Sequence, residues 1–175
     1  MRRMKGVEKI ENKYLPEFVY GGTDGTVTTF AVVSGVIGAS LSSSVVLILG
    51  FANLFADGFS MAISNYLSNK SRGGSSGSNT NAFKTALATF IAFLIIGFIP
   101  LISFVLAGLT GNSFLIENQF TSSIILTGFS LIIIGAFKGK VRKKSKVKSA
   151  IQSFLIGGTA ALIAFLVGYL LRNVG

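Results

Sequence analysis

The sequence contains no cysteine and no histidine. Those two absences remove disulfides, thiolate sites, imidazole ligands and any Ser-His-Asp set from consideration. A metal ion would therefore have to be held by carboxylate, amide, carbonyl or thioether groups. Acidic residues are scarce as well: six Asp and Glu against sixteen Lys and Arg in 175 residues, a formal net charge of +10. Residues 1–20 lack the apolar run of a cleavable signal peptide. The stretch Gly21-Gly22-Thr23-Asp24-Gly25 lacks the lysine and the preceding strand that a phosphate-binding loop requires. With neither a catalytic constellation nor a phosphate loop, an enzyme is not expected.

What the chain has in quantity is apolar length. Half of its residues are hydrophobic and 13% are charged, with a mean hydropathy of +0.69. Its long apolar runs exceed what a soluble core of this size needs. The expected fold class is an all-α polytopic membrane protein with five transmembrane helices, at about 21–39, 45–67, 85–109, 121–137 and 150–171. Residues 1–20 are predicted to form an amphipathic surface helix, with Val7, Ile10, Tyr14 and Phe18 on its apolar side and Pro16 marking a break or bend. Span 1 is the most polar of the five and carries Gly21, Gly22, Gly25, Gly35 and Gly38, so it is expected inside the bundle with other backbones close by. Residues 68–84 read as a Gly/Ser-rich cytoplasmic linker. Pro100 predicts a helix bend in span 3 and a freed carbonyl one turn earlier. In span 5, Gly157, Ala161, Ala164 and Gly168 form a stripe suited to close packing.

Basic residues number five in 1–20, three in 68–84 and seven in 138–148, against none in 40–44 or 110–120 and one, Arg172, after span 5. The positive-inside rule then predicts a cytoplasmic N-terminus and an outside C-terminus. The 138–148 run is read as a topology determinant at anionic headgroups of the membrane lipid. A charge of this size would suggest nucleic acid in a soluble protein, but no nucleic-acid motif is present and no such partner is expected.

Only two acidic residues, Asp24 and Asp57, fall within spans. An ionisable group at membrane depth is costly unless paired, hydrated or ligated. Asn53, Asp57 and Met61 recur every four residues and share one helix face within about 12 Å of axial distance. Antiparallel spans 1 and 2 would place Asp24, Asp57 and Met61 in the cytoplasmic half, where they could share one cavity. Carboxylates in a low-dielectric cavity accept protons that a divalent cation can displace. Oxygen ligands with a thioether point to first-row transition metals such as Fe²⁺. No prosthetic group is implied. Each residue has a plainer reading: Asp24 as a hydrated group or helix cap, Asn53 as interhelical glue, Met61 as packing. Glu17 could collect cations at a cytoplasmic entrance or be an exposed surface charge.

The stretches Tyr20-Gly21-Gly22-Thr23-Asp24-Gly25-Thr26, Asn53-Leu54-Phe55-Ala56-Asp57-Gly58-Phe59-Ser60-Met61, Gly97-Phe98-Ile99-Pro100 and Gly157-Gly158-Thr159 resemble the vacuolar iron transporter (VIT) family. The resemblance implies a homodimer of five-span protomers, with spans 1 and 2 of both subunits lining a pathway. It also implies export of Fe²⁺ or related divalent ions such as Mn²⁺ from the cytosol in exchange for protons, with Asp24 and Met61 in the translocation path. Two departures stand out. Asn53 occupies a position where the best-known members carry glutamate, with Asp57 one turn later. The family's Glu/Met-rich cytoplasmic insert between spans 2 and 3 is replaced by the short Gly/Ser stretch. This pattern looks like a bacterial-type member, so a bacterial or archaeal plasma membrane is expected in preference to a vacuolar one. Two other readings stay open: a non-transporting membrane scaffold, and a proton or monovalent-cation channel.

Overall fold

The computed structural model describes residues 2–73 and 81–174, with side chains described for 14–71 and 81–174. Every regular element among them is helical: α1 Arg2–Gly38, α2 Ser43–Gly73, α3 Ala82–Gly97, α4 Ile102–Thr110, α5 Ser113–Val141 and α6 Lys146–Leu171. A 3-10 turn, Ile99–Leu101, joins α3 to α4 into one interrupted column. Five helical columns result. Four stretches are long and apolar enough to cross a membrane: Ser43–Ser71, Ala82–Thr110, Ser113–Val141 and Lys146–Leu171. The 29-residue stretches among them reach about 44 Å, against a hydrocarbon core of about 30 Å.

The fifth column is α1, whose second half is not among the four because Thr23, Asp24, Thr26, Thr28, Thr29 and Ser34 dilute its apolar residues. It is the hub of the bundle, packed against α2, α3, α5 and α6. Thr26 and Thr29 are fully buried and Ser34 nearly so, which agrees with the inner position expected of this span. The separate surface helix expected over 1–20 is instead the first half of α1, which runs through Pro16 without a break. One lost N–H bond is outweighed by the intact turns on either side. The apolar side expected for its first turns lies outside the described side chains.

Glycines permit the crossings. A Cβ on Gly21 would lie 2.5 Å from the Thr89 carbonyl oxygen, so α1 and α3 touch backbone to backbone. Gly38 meets the Phe165 carbonyl and Gly168 meets that of Gly35 in the same way, locking α1 onto α6. Between α1, α2 and the α3–α4 column lies the apolar core, with Val33, Val46, Phe93 and Leu101 fully buried.

The interruption at Pro100 behaves as its chemistry requires. Lacking an N–H, proline cannot donate to the Ile96 carbonyl, and Thr26 Oγ1 of α1 lies 3.3 Å from that oxygen and 2.9 Å from the Gly22 carbonyl, its one proton shared between the two. The Pro100 carbonyl accepts from Ser123 Oγ of α5 at 2.6 Å.

Helix ends differ from expectation where caps intervene. The polar stretch 110–120 is mostly the start of α5. Gly111 ends α4 in the left-handed conformation, and the Asn112 side chain then accepts from the N–H groups of Phe114 and Leu115. The basic run 138–148 is also largely helical, with α5 continuing to Val141 and α6 starting at Lys146 under a Ser145 cap. Lysine and arginine are good helix formers, so charge alone ends nothing. The linker expected over 68–84 is shortened from both sides, by α2 reaching Gly73 and α3 starting after the Asn81 cap. Its centre, 74–80, lies outside the described residues.

Candidate metal pathway

Asp24 and Asp57 occupy equivalent local settings. Each precedes a buried glycine, and both glycines bear on the same residue of α3. A Cβ on Gly25 would meet the Phe93 carbonyl oxygen at 2.6 Å, and one on Gly58 would meet the Phe93 ring at 3.1 Å. Phe93 is itself fully buried. Seating the glycine inward turns the preceding carboxylate outward, since neighbouring residues on a helix point about 100° apart. Both aspartates are accordingly exposed on the single chain. They stand on neighbouring helices that pack against each other. The two spans thus bring together the two acidic residues singled out from the sequence.

The other candidates are arranged differently. Asn53 is half-buried, and its amide nitrogen donates to Thr29 Oγ1 at 3.4 Å and Thr28 Oγ1 at 3.5 Å, tying α2 to α1. That is the interhelical bond of the plainer reading. Met61 shares the stripe but packs against the apolar core. Pro100 is buried in the 3-10 turn away from the acids' exposed face.

Glu17 is half-buried and lines a cavity of about 710 Å³ with Asp24, Asn65, Lys138, Arg142 and Ser153. Its Oε2 is buried without a hydrogen-bond partner among the described residues. Asp57 and Met61, expected to share one cavity with Asp24, do not line this one. The Asp57 side of α2 faces out of the protomer, and Met61 turns toward the core.

Three features of the site escaped the sequence reading. The four-residue repeat of α2 continues past Met61 to Asn65 and Asn69. Asn65 donates to Thr89 Oγ1 at 3.1 Å and Asn69 to Thr85 Oγ1 at 3.2 Å, forming a polar seam with α3. Extending the spacing by two turns would have found them. Lys138 and Arg142 were read only as topology charges, yet they project from the end of α5 into the cavity of Glu17 and Asp24. Ser153 came with no signal at all.

Among the described residues, no three His, Cys, Asp or Glu side chains cluster tightly enough to hold a metal ion. A divalent transition metal ordinarily takes four to six ligands, more than the two aspartates of spans 1 and 2 supply.

A bundle of helices long and apolar enough to cross a membrane defines the class: an integral membrane protein. The chain belongs to the VIT family, whose sequence model matches residues 15–75 and 72–169. It is similar to a vacuolar iron transporter of Plasmodium berghei (strain Anka), 25% identical over 230 aligned positions that cover 94% of this chain and 84% of that protein. A vacuolar iron transporter of Centaurea cyanus is 24% identical over 212 positions, covering 85% of this chain and 84% of its own. One from Toxoplasma gondii (strain ATCC 50861 / VEG) is 51% identical over 55 residues, 31% of this chain and 18% of that protein. These relatives are named as transporters, and the protein is not an enzyme.

Proposed function

We propose that the protein is a metal transporter that moves Fe²⁺, and also Mn²⁺, out of the cytosol in exchange for protons. The observation that carries this reading is the placement of Asp24 and Asp57 on packed neighbouring helices, each held outward by a glycine seated on Phe93. Two acids sharing one electrostatic field bind protons more readily than either alone, and a dication can replace those protons. Membership of a family whose relatives are named for iron transport supports the choice of cargo.

The working unit in this reading is a homodimer. Asp57, Ser60 and Ser64 form an exposed polar stripe on α2. Facing hydrocarbon, that stripe would carry an unpaired carboxylate at a cost of several kcal/mol. A second copy's α1 and α2 would cover it and double the number of carboxylates available to one ion. The N-terminus and the basic turn between α5 and α6 lie on the cytoplasmic side, and Glu17 stands at the entrance. Met61 supplies a soft contact when the dimer forms. The two family-model matches meet at 72–75, and the alignment with the Plasmodium berghei relative is longer than this chain. Both support a lost insert between α2 and α3, so that cytosolic metal reaches the pathway without a dedicated capturing domain.

Proteoliposomes loaded with a metal-quenched dye test the reading. Wild-type protein should quench the dye on addition of Fe²⁺ or Mn²⁺ and acidify or alkalise the lumen in step, whereas the Asp24→Ala, Asp57→Ala double variant should lose at least about tenfold in rate. Equal uptake by the double variant would remove both proposed ligands. Quenching without any proton movement would remove the exchange.

A further inference from the structure

The cavity at the cytoplasmic end holds charges of both signs. Glu17 and Asp24 reach it from α1, Lys138 and Arg142 from the end of α5. Among the described residues, two negative and two positive groups leave the space with no net formal charge. At about 710 Å³ it has room for roughly twenty waters at about 30 Å³ each, so the groups meet across solvent. Glu17 Oε2 nonetheless ends buried, with no hydrogen-bond partner among the described residues. A dication entering such a space gains attraction from two carboxylates and meets repulsion from two cations.

We propose that Lys138 and Arg142 are tethered counter-ions for the entrance acids, and that an incoming divalent cation has to displace them. This rests on the transport reading above and adds specificity-determining residues to it. The placement suits the task. Arg142 is the residue that caps α5 and is exposed, Lys138 lies one turn back and is half-buried, and Lys143 next in line takes a left-handed backbone (φ 54°) that turns the chain away. Both side chains are long and flexible, so each can withdraw to the headgroup layer without moving a helix. A dication replaces both positive charges at once and leaves the entrance balanced. A monovalent ion replaces only one, so it shares the space with the tethered cation that remains and is repelled by it. The pair raises the concentration of metal needed for entry and selects for charge two.

The alternative is that these residues act only through topology and surface potential, and Lys143 and Lys144 offer a matched control. They carry the same charge on the same turn without lining the cavity. Full-length protein in liposomes, with Mn²⁺ as probe, gives KM and kcat from initial rates, and loss of the free-ion electron paramagnetic resonance signal gives binding in detergent. The Lys138→Gln, Arg142→Gln variant should lower KM about five- to tenfold with kcat within about twofold of wild type. It should also admit K⁺, read as a K⁺-driven voltage signal absent from wild type. Lys138→Arg with Arg142→Lys should behave as wild type, and Lys143→Gln with Lys144→Gln should leave KM within about twofold. Arg142→Gln alone, at an exposed position, should give the intermediate KM even where the double variant expresses poorly. An unchanged or raised KM in the cavity variants, or an equal fall in the control pair, overturns the counter-ion role while leaving wild-type transport standing. Failure of wild-type protein to bind or move Mn²⁺ overturns the transport reading and this inference together.

Discussion

Helices α1 and α6 press their backbones together through small residues, yet they obey opposite rules of burial. The second half of α1 carries threonines, a serine and an aspartate and sits at the centre of the bundle. Helix α6 is almost wholly apolar in its span, and only 11% of that span is buried. In water the order would be reversed. In lipid, hydrocarbon gains little from exchanging tails for leucines, whereas hydroxyls and carbonyls must find partners inside the protein. High hydropathy on α6 therefore marks a surface, and low hydropathy on α1 marks the interior.

The contrast can be broken most forcefully where the two helices meet. Gly168→Leu would drive a side chain into the Gly35 carbonyl and the Ala39 nitrogen. It should destabilise the bundle by about 3 kcal/mol or more, seen as loss of the monodisperse peak in detergent and a lower midpoint of thermal unfolding. A smaller effect is expected on the polar side of the comparison. Thr26→Val keeps the shape but strips the donor from the Ile96 carbonyl and should cost about 1 kcal/mol. If that bond matters because Pro100 frees the carbonyl, the cost should shrink in a Pro100→Ala background, where the helix can reclaim it. Equal costs in both backgrounds would show the two residues to be independent. The smallest effect belongs to the lipid face: Ile163→Ala, exposed on α6, should change stability by no more than about 0.5 kcal/mol, measured by the same unfolding assay.

How much of this was legible beforehand follows from the same physics. Apolar runs located four columns directly. The polar, glycine-marked fifth was legible as an inner helix because hydroxyls and a carboxylate are costly against lipid tails and find partners only among other helices. The interruption at Pro100 was likewise readable from one residue. Helix ends were misplaced because Asn81, Asn112 and Ser145 set them through single side-chain bonds, and a run such as 138–148 reads as a loop if charge is taken as the cue. Asp24 and Asp57 could be singled out for their cost in hydrocarbon, but the partner of their glycines could not, because Phe93 is one of sixteen phenylalanines and only packing distinguishes it. Met61 shows the limit of spacing: at about forty degrees from Asp57 on a helical wheel by the 3.6-residue period, it falls on the core side of a boundary that sequence does not draw. Lys138 and Arg142 were masked because orienting the chain in the membrane already accounted for their charge.

Phe93 is a single bearing for two levers. The glycine after each aspartate rests on that one residue, so a change in the size of its side chain is felt by α1 and α2 together. The place lies about two turns before Pro100 interrupts the column, so one position on α3 bears on both acid-carrying helices at once.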